Sequence, residues 1–350
     1  MKIPHKKIEI FCGTGGVGKT TIATSRALNL ALQGKKVLLI TIDPAKRLKQ
    51  ILNLNDTDTG DIFTISTHLF GFDNDKTFDA MLMSPGATLK RIAKAKNLEI
   101  EFESTIIKTL GRPYGGMNEI MSIIEVQHQL KSHKYDTIIL DTPPGKHFID
   151  FLESSEKIKN FFDKSFLEVF EYLGKNTGDG EPKKRGLFNK LVTTGVNKLL
   201  AYLEDVTGSD FVKEFIDAVL ALYKSRDLFL EALEFQGELK VESFSNWFLV
   251  TSVEQQKLDE ASGLKNSAES FIHKDLFLVI NKCLTPNLVT WNPQVNTPLF
   301  KLKESLVTRE VNMAEFASKN FRNVLKFHEI THPSPLEHVK GLSDQFKEFN

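Results

Sequence analysis

Short apolar runs recur along the chain at Ile8 to Cys12, Lys36 to Ile42, Ile62 to Ile65, Thr137 to Leu140, Phe244 to Thr251, Leu276 to Asn281 and Val324 to Ile330. Several are continuous rather than alternating, the pattern of strands covered on both faces. Between the first two lies Thr20 to Gln33, a helical stripe closed by Gly34, and this strand, helix, strand rhythm predicts a mainly parallel sheet wrapped by helices. The fold class is therefore α/β. Two long stretches break the rhythm, roughly 73–132 and 146–240. In the second, Ile158, Phe161, Phe162, Phe166, Val169, Phe170 and Leu173 fall at helical spacing, and similar stripes run from Leu187 to Leu203, Phe211 to Tyr223 and Leu228 to Phe235. The two stretches are predicted to form a helical subdomain inserted in a single domain over residues 1–350. The polar, turn-rich segment Gly174 to Gly186 predicts a surface loop. Leu336 to Phe349 predicts a short amphipathic helix whose mixed charges favour packing on the sheet over an anionic membrane.

At 350 residues the chain is long enough to bury a core without staples. Its 45 Lys and Arg residues balance 45 Asp and Glu residues, so no global field would hold it on nucleic acid or lipid. Lys183, Lys184 and Arg185 stand beside Asp179 and Glu181, which reads as a solvated loop rather than a nucleic-acid site. No apolar run reaches the ~18 residues of a membrane span, so direct membrane insertion is not expected. The polar start of the chain, followed by only a short strand-like run, does not have the pattern expected of a secretory signal. Cys12 and Cys283 are too few and too far apart for a disulfide framework or a zinc ribbon, and the expected location is the cytoplasm.

Gly13-Thr14-Gly15-Gly16-Val17-Gly18-Lys19-Thr20 has the phosphate-loop pattern G-x-x-x-x-G-K-[ST], directly after a strand and directly before a helix. Glycines let backbone N–H groups wrap phosphate oxygens, and the helix start adds its positive dipole end. In that arrangement Lys19 contacts the β and γ phosphates, Thr20 ligates Mg²⁺ and Thr21 reaches the α phosphate. A second acidic anchor is expected at the end of another buried strand, and Asp141 closes Thr137-Ile138-Ile139-Leu140. It continues into Thr142-Pro143-Pro144-Gly145-Lys146-His147, a stiff turn suited to sensing a γ phosphate. Asp43 ends the second strand in Leu39-Ile40-Thr41-Ile42-Asp43-Pro44-Ala45. There a carboxylate either orients an attacking water or caps the helix predicted from Ala45 to Leu52.

Together with G-M-N-E-I-M-S-I-I-E-V at Gly116 to Val126 and V-I-N-K at Val279 to Lys282, these segments resemble the ArsA/Get3 family of ATPases in order and over most of the chain. That family comprises the arsenite-pump ATPases and the ATPases that target tail-anchored membrane proteins. The resemblance implies a phosphate-loop NTPase core that uses ATP and Mg²⁺, enclosed between the facing subunits of a dimer. It implies that Gly13 to Thr21 hold the nucleotide and that Asp43 takes the catalytic, water-positioning place. It further implies that the Asp43 and Asp141 segments are switches, that Asp141 holds the Mg²⁺ shell through water, that Asn281 reads the adenine, and that Pro333 lies in the loop flanking the base.

Three departures matter. No C-x-x-C pair is present, so the intersubunit zinc of some members is not expected. Neither cysteine matches a metalloid-sensing position, and the chain has one nucleotide site where arsenite-pump ATPases are commonly duplicated. Thr14 stands where the family carries a signature lysine that reaches the partner's nucleotide. Either a slow homodimer or a heterodimer with a paralogue retaining the lysine is expected, with Lys46 and Arg47 as substitutes or plain helix surface charges. Eleven of the 27 phenylalanines fall within residues 146–236, about a quarter of the chain, and they form either core or a groove for a hydrophobic protein client. The expected function is a dimeric switch ATPase that handles protein or hydrophobic cargo. The alternatives are the ATPase subunit of an anion or arsenite pump, working with a membrane protein partner, and a low-turnover regulatory partner of a paralogue.

Overall fold

Four of the apolar runs become strands without an exposed residue: β1 (Ile8–Gly13), β2 (Val37–Thr41), β5 (Thr137–Asp141) and β6 (Ser245–Ser252). With β3 (Ile62–Ser66), β4 (Thr77–Leu82), β7 (Phe277–Cys283) and β8 (Asn323–His328) they form one sheet in the order β3-β4-β2-β5-β1-β6-β7-β8. All neighbours are parallel except β3 and β4. The structure, a computed structural model, describes residues 2–42, 46–52, 60–97, 118–145, 147–153, 198, 200–202 and 204–349. Phe161, Phe162, Phe166, Phe170 and the Gly174 to Gly186 segment lie outside the described residues, as does Asp43.

The chain divides into two compact units. The first, Met1–Met83, Val126–Leu152 and Gly237–Asn350, contains the whole sheet. Its helices include α1 (Lys19–Leu32), α2 (Lys46–Leu52), α7 (Gln255–Ala268), α8 (Thr285–Thr290), α9 (Pro298–Asn320) and α10 (Pro335–Phe346). The second unit, Ser84–Glu125 and Glu153–Gln236, is helical where described. It contains α3 (Pro85–Lys96), the start of α4 (Asn118–Lys131), α5 (Ser209–Lys224) and most of α6 (Arg226–Glu238). Within it, the Ser84 hydroxyl caps α3 by accepting from Ala87 N at 3.3 Å, and buried Glu125 accepts from Thr88 Oγ1 at 2.8 Å and from Arg91. No helix among the described residues is long and apolar enough to cross a membrane.

Residues 77–82, counted with the helical insertion on sequence, instead form β4 of the sheet. The apolar run there is interrupted by Asp79, which disguises a strand. The buried carboxylate is satisfied by Thr64 Oγ1 at 2.7 Å, Lys134 Nζ at 2.8 Å and Tyr135 OH at 2.8 Å. Those donors hold its pKa below the ordinary value against the opposing effect of burial.

One face of the sheet carries a row of aromatic rings across β1, β6 and β7. Phe11 and Phe248 stack with centroids 4.5 Å apart, and Phe248 and Phe277 follow at 5.1 Å. The C-terminal amphipathic helix packs as its pattern predicts: Val339, Leu342 and Phe346 of α10 are buried, and the Phe346 ring lies 4.6 Å from that of Phe327. Glu9 of β1 and Arg26 of α1 form a fork-to-fork pair inside this layer. Arg26 Nε donates to Glu9 Oε2 at 2.8 Å and Nη2 to Oε1 at 2.9 Å, with both side chains almost wholly buried. The guanidinium also sits 5.4 Å from the Phe346 ring centroid, and the neighbouring Asn29 donates to Ser343 O at 3.2 Å.

Removing one partner leaves the other charge buried and unpaired. Arg26→Met is expected to cost about 3–5 kcal/mol, and the Glu9→Met/Arg26→Met double variant less than either single change. Urea denaturation of the four proteins measures this; a single variant as stable as the parent would contradict it.

Candidate functional site

The strand order changes direction at β1, which sits between β5 and β6, and open α/β sheets place their ligand crevice outside the carboxyl ends of the strands at such a point. The glycine-rich loop leaves β1 there. Two of its glycines are demanded by space. A Cβ on Gly13 would collide with the backbone carbonyl of Val250, and Gly18 has φ of +88°, where a Cβ would also press on the side-chain amide of Asn281. Asn281, near the end of β7, donates from Nδ2 to Val17 O at 2.9 Å, so it braces the loop from the side.

α1 begins at Lys19, and its first two side chains turn onto Asp141 at the end of β5. Lys19 Nζ donates to Asp141 Oδ1 at 2.7 Å and also to Thr142 O, while Thr20 Oγ1 donates to Asp141 Oδ2 at 2.7 Å. Thr41 Oγ1, at the end of β2, reaches the same Oδ2 at 3.0 Å. The turn after Asp141 is tied back to β1, Thr142 through Oγ1 to Phe11 O at 3.0 Å and Gly145 through N to Gly13 O at 3.0 Å.

A cavity of about 510 Å³ opens over this loop. Thr14, Gly15, Gly16, Gly18, Lys19, Thr20, Thr21 and Asn281 line it, so the predicted loop residues and the predicted β7 residue come together. Gly13 and Val17 support the loop from beneath rather than lining the cavity. Pro333 lies between β8 and α10, in the loop that supplies Glu329 and Ile330, and is not among the lining residues. Pro144, Lys282, His328, His338 and Leu342 complete the wall. Pro144 and Lys282 belong to the T-P-P-G-K-H and V-I-N-K segments singled out on sequence, whereas no motif announced His328, His338 or Leu342, for which the loop around Pro333 gave only the neighbourhood.

The residues fit a Mg²⁺-bound nucleotide. Thr20 and Asp141 are hard oxygen donors side by side, suited to that ion. Cβ atoms on Gly15 and Gly16, which line the cavity, would meet nothing within 4 Å, so the loop leaves open space there. Thr14 Oγ1 is buried at the cavity without a hydrogen-bond partner among the described residues, a hydroxyl placed to donate to a phosphate oxygen. The two thiols are not placed for chemistry. Cys12 donates to Phe248 O at 3.6 Å, and burial pushes both Cys12 and Cys283 up to about 12.

The sequence profile of the anion-transporting ATPase family matches residues 6–292. The chain is 29% identical over 238 residues to an ATPase GET3 of Malassezia globosa, covering 65% of this chain and 68% of that protein. It is 29% identical over 246 residues to ATPase ARSA2 of Chlamydomonas reinhardtii (64% and 63%). Against ATPase ASNA1 homolog 1 of Paramecium tetraurelia it is 26% identical over 241 residues (65% and 70%).

Lys19→Ala is expected to weaken ATP binding at least a hundredfold, measured by calorimetry, because it removes the cation at the centre of the loop; unchanged affinity would contradict the assignment. Neither thiol is expected to react with an aromatic disulfide reagent at pH 8 in the folded protein. Both should titrate after unfolding in guanidinium, because at that pH a thiol of pKa about 12 is almost entirely protonated.

Proposed function

Since this chain belongs to the anion-transporting ATPase family and is an ATPase, we propose that it works as a Mg-ATP-driven dimeric switch whose nucleotide state governs the handling of a protein or other hydrophobic cargo. The observation that carries the nucleotide part is the meeting of Lys19 and Thr20 on Asp141 beneath a glycine loop that closes a cavity.

In this reading the loop N–H groups and the start of α1 hold the phosphate chain, and Lys19 spans its β and γ groups. Thr20 and, through water, Asp141 would hold Mg²⁺, which when bound would supply positive charge to the phosphate groups. Asn281 and the loop bearing Pro333 lie on the base side. Asp43, outside the described residues, orients a water in line with the γ phosphorus. The new bond forms from the water oxygen to the γ phosphorus as the bond from that phosphorus to the β–γ bridging oxygen breaks, the water's proton stays with the released phosphate, and ADP departs. Asp141 and its turn, tied to β1 through Gly145 and Thr142, carry the change outward. The cargo part is supported by the phenylalanine-rich stretch 146–236. The family's description as anion-transporting keeps a pump subunit as the second reading.

Thr14 has no charge to extend to a facing subunit. A cation in that role is worth ~10³ to 10⁵ in rate in related phosphoryl transfers. The protein alone is therefore expected to turn over slowly, and Thr14→Lys, or a paralogue that carries the lysine, to raise turnover at least tenfold, a barrier change of ~1.4 kcal/mol. Asp43→Asn should retain ATP affinity and lose turnover. Fast hydrolysis by the unmodified protein, unmoved by Thr14→Lys and lost in Arg47→Ala, would assign the cation to Arg47 instead.

A further inference from the structure

Lys282 occupies an unusual backbone position at the nucleotide cavity. Four non-glycine residues among those described have positive φ, and three of them are Asn97, His133 and Asn296, types enriched in that region. The fourth is Lys282, at +63°. A lysine gains nothing locally from this conformation, and such outliers persist where the surroundings impose them, often at binding sites.

The surroundings here are a break in the β7–β8 ladder. The register runs regularly to Ile280 and resumes, shifted, at Cys283, whose carbonyl accepts from Glu329 N at 2.9 Å. In a regular strand successive side chains face opposite sides, so Asn281 and Lys282 could not both face one cavity. An irregularity of this kind re-aims a side chain, and both residues line the same cavity.

Asn281 touches the phosphate loop itself, through Val17 O at 2.9 Å. The next Cα lies about 3.8 Å along the chain and carries a flexible four-carbon stem with a charged end, in the cavity that Gly15, Gly16 and Lys19 of the loop also line. Lys282 is exposed and makes no hydrogen bond or ion pair with any described residue, whereas Lys19 is buried against Asp141. Thr14 beside them is neutral.

We propose that Lys282 is a nucleotide-binding residue whose ammonium meets the phosphate chain from within the same subunit. This rests on the nucleotide reading of the cavity. Phosphates are the anionic groups of an adenine nucleotide, so the contact predicts a charge-dependent gain for ATP and ADP and none for adenosine.

Binding of ATP, ADP and adenosine by calorimetry, with melting temperature, tests it in Lys282→Gln, Lys282→Gly, Lys282→Arg and Lys19→Ala. Gln and Gly are expected to weaken ATP and ADP at least tenfold and leave adenosine unchanged, while Arg stays within threefold of the parent. Gly, which suits positive φ, is expected to melt no lower than the parent, so its loss of affinity is not a loss of folding. ATP affinity unchanged in Gln and Gly, with Lys19→Ala still defective, would overturn this inference alone. Adenosine weakened as much as ATP would overturn it too, placing the side chain against the base. ATP bound normally by Lys19→Ala would remove the nucleotide reading and this inference with it.

Discussion

A carboxylate buried as deeply as Asp141 must collect donors, and the three it collects fix where three segments of the chain lie. Lys19 and Thr20 set the first turn of α1, Thr41 the end of β2, and the carboxylate itself the end of β5. In the sheet, Asp141 is level with Phe11 of β1 and Thr41 of β2, so the contacts are short because the register makes them so. The loop between β1 and α1 has little freedom left once both its ends are held, and glycine at 13 and 18 is what allows it to close at all.

The other end of the same helix is held as firmly by different chemistry. Arg26 pairs with Glu9 and lies over Phe346, and Asn29 holds the carbonyl of Ser343. α1 is thereby fastened to β1 beneath it and to α10 beside it. As α10 also contributes His338 and Leu342 to the cavity, the phosphate end and the back wall are parts of one packed layer. Gln345 adds to this by accepting from His328 N at 2.6 Å and donating to His328 O at 3.2 Å, which pins the end of β8 where the wall begins.

Much of this was legible because its signals are local. The strand, glycine loop and helix from Ile8 to Gln33 are contiguous, and an aspartate closing an apolar run needs no distant information. β4 was not legible, because Asp79 breaks its pattern and the donors that excuse it come from β3 and from the residues before β5. The Glu9–Arg26 pair was equally hidden, since a charge within I-E-I-F reads as the solvent side of a strand until a helix is known to cover it. The wall residues His328, Glu329 and His338 belong to no motif; a parallel crossover, not sequence proximity, carries them to the phosphate loop.

The strand order has a kinetic side as well. β1 is central, yet the contacts it makes with the turn after β5 and with β6 span 131 and 236 residues of chain. Closing loops of that length is slow compared with forming helices. A ribosome-bound chain that has emerged only as far as β2 has its glycine loop but neither Asp141 nor Asn281 to hold it. Its most apolar strand meanwhile waits with both edges open, an invitation to aggregation. Phosphate-binding competence in this protein is thus a late event in synthesis, although the motif for it is among the first residues made.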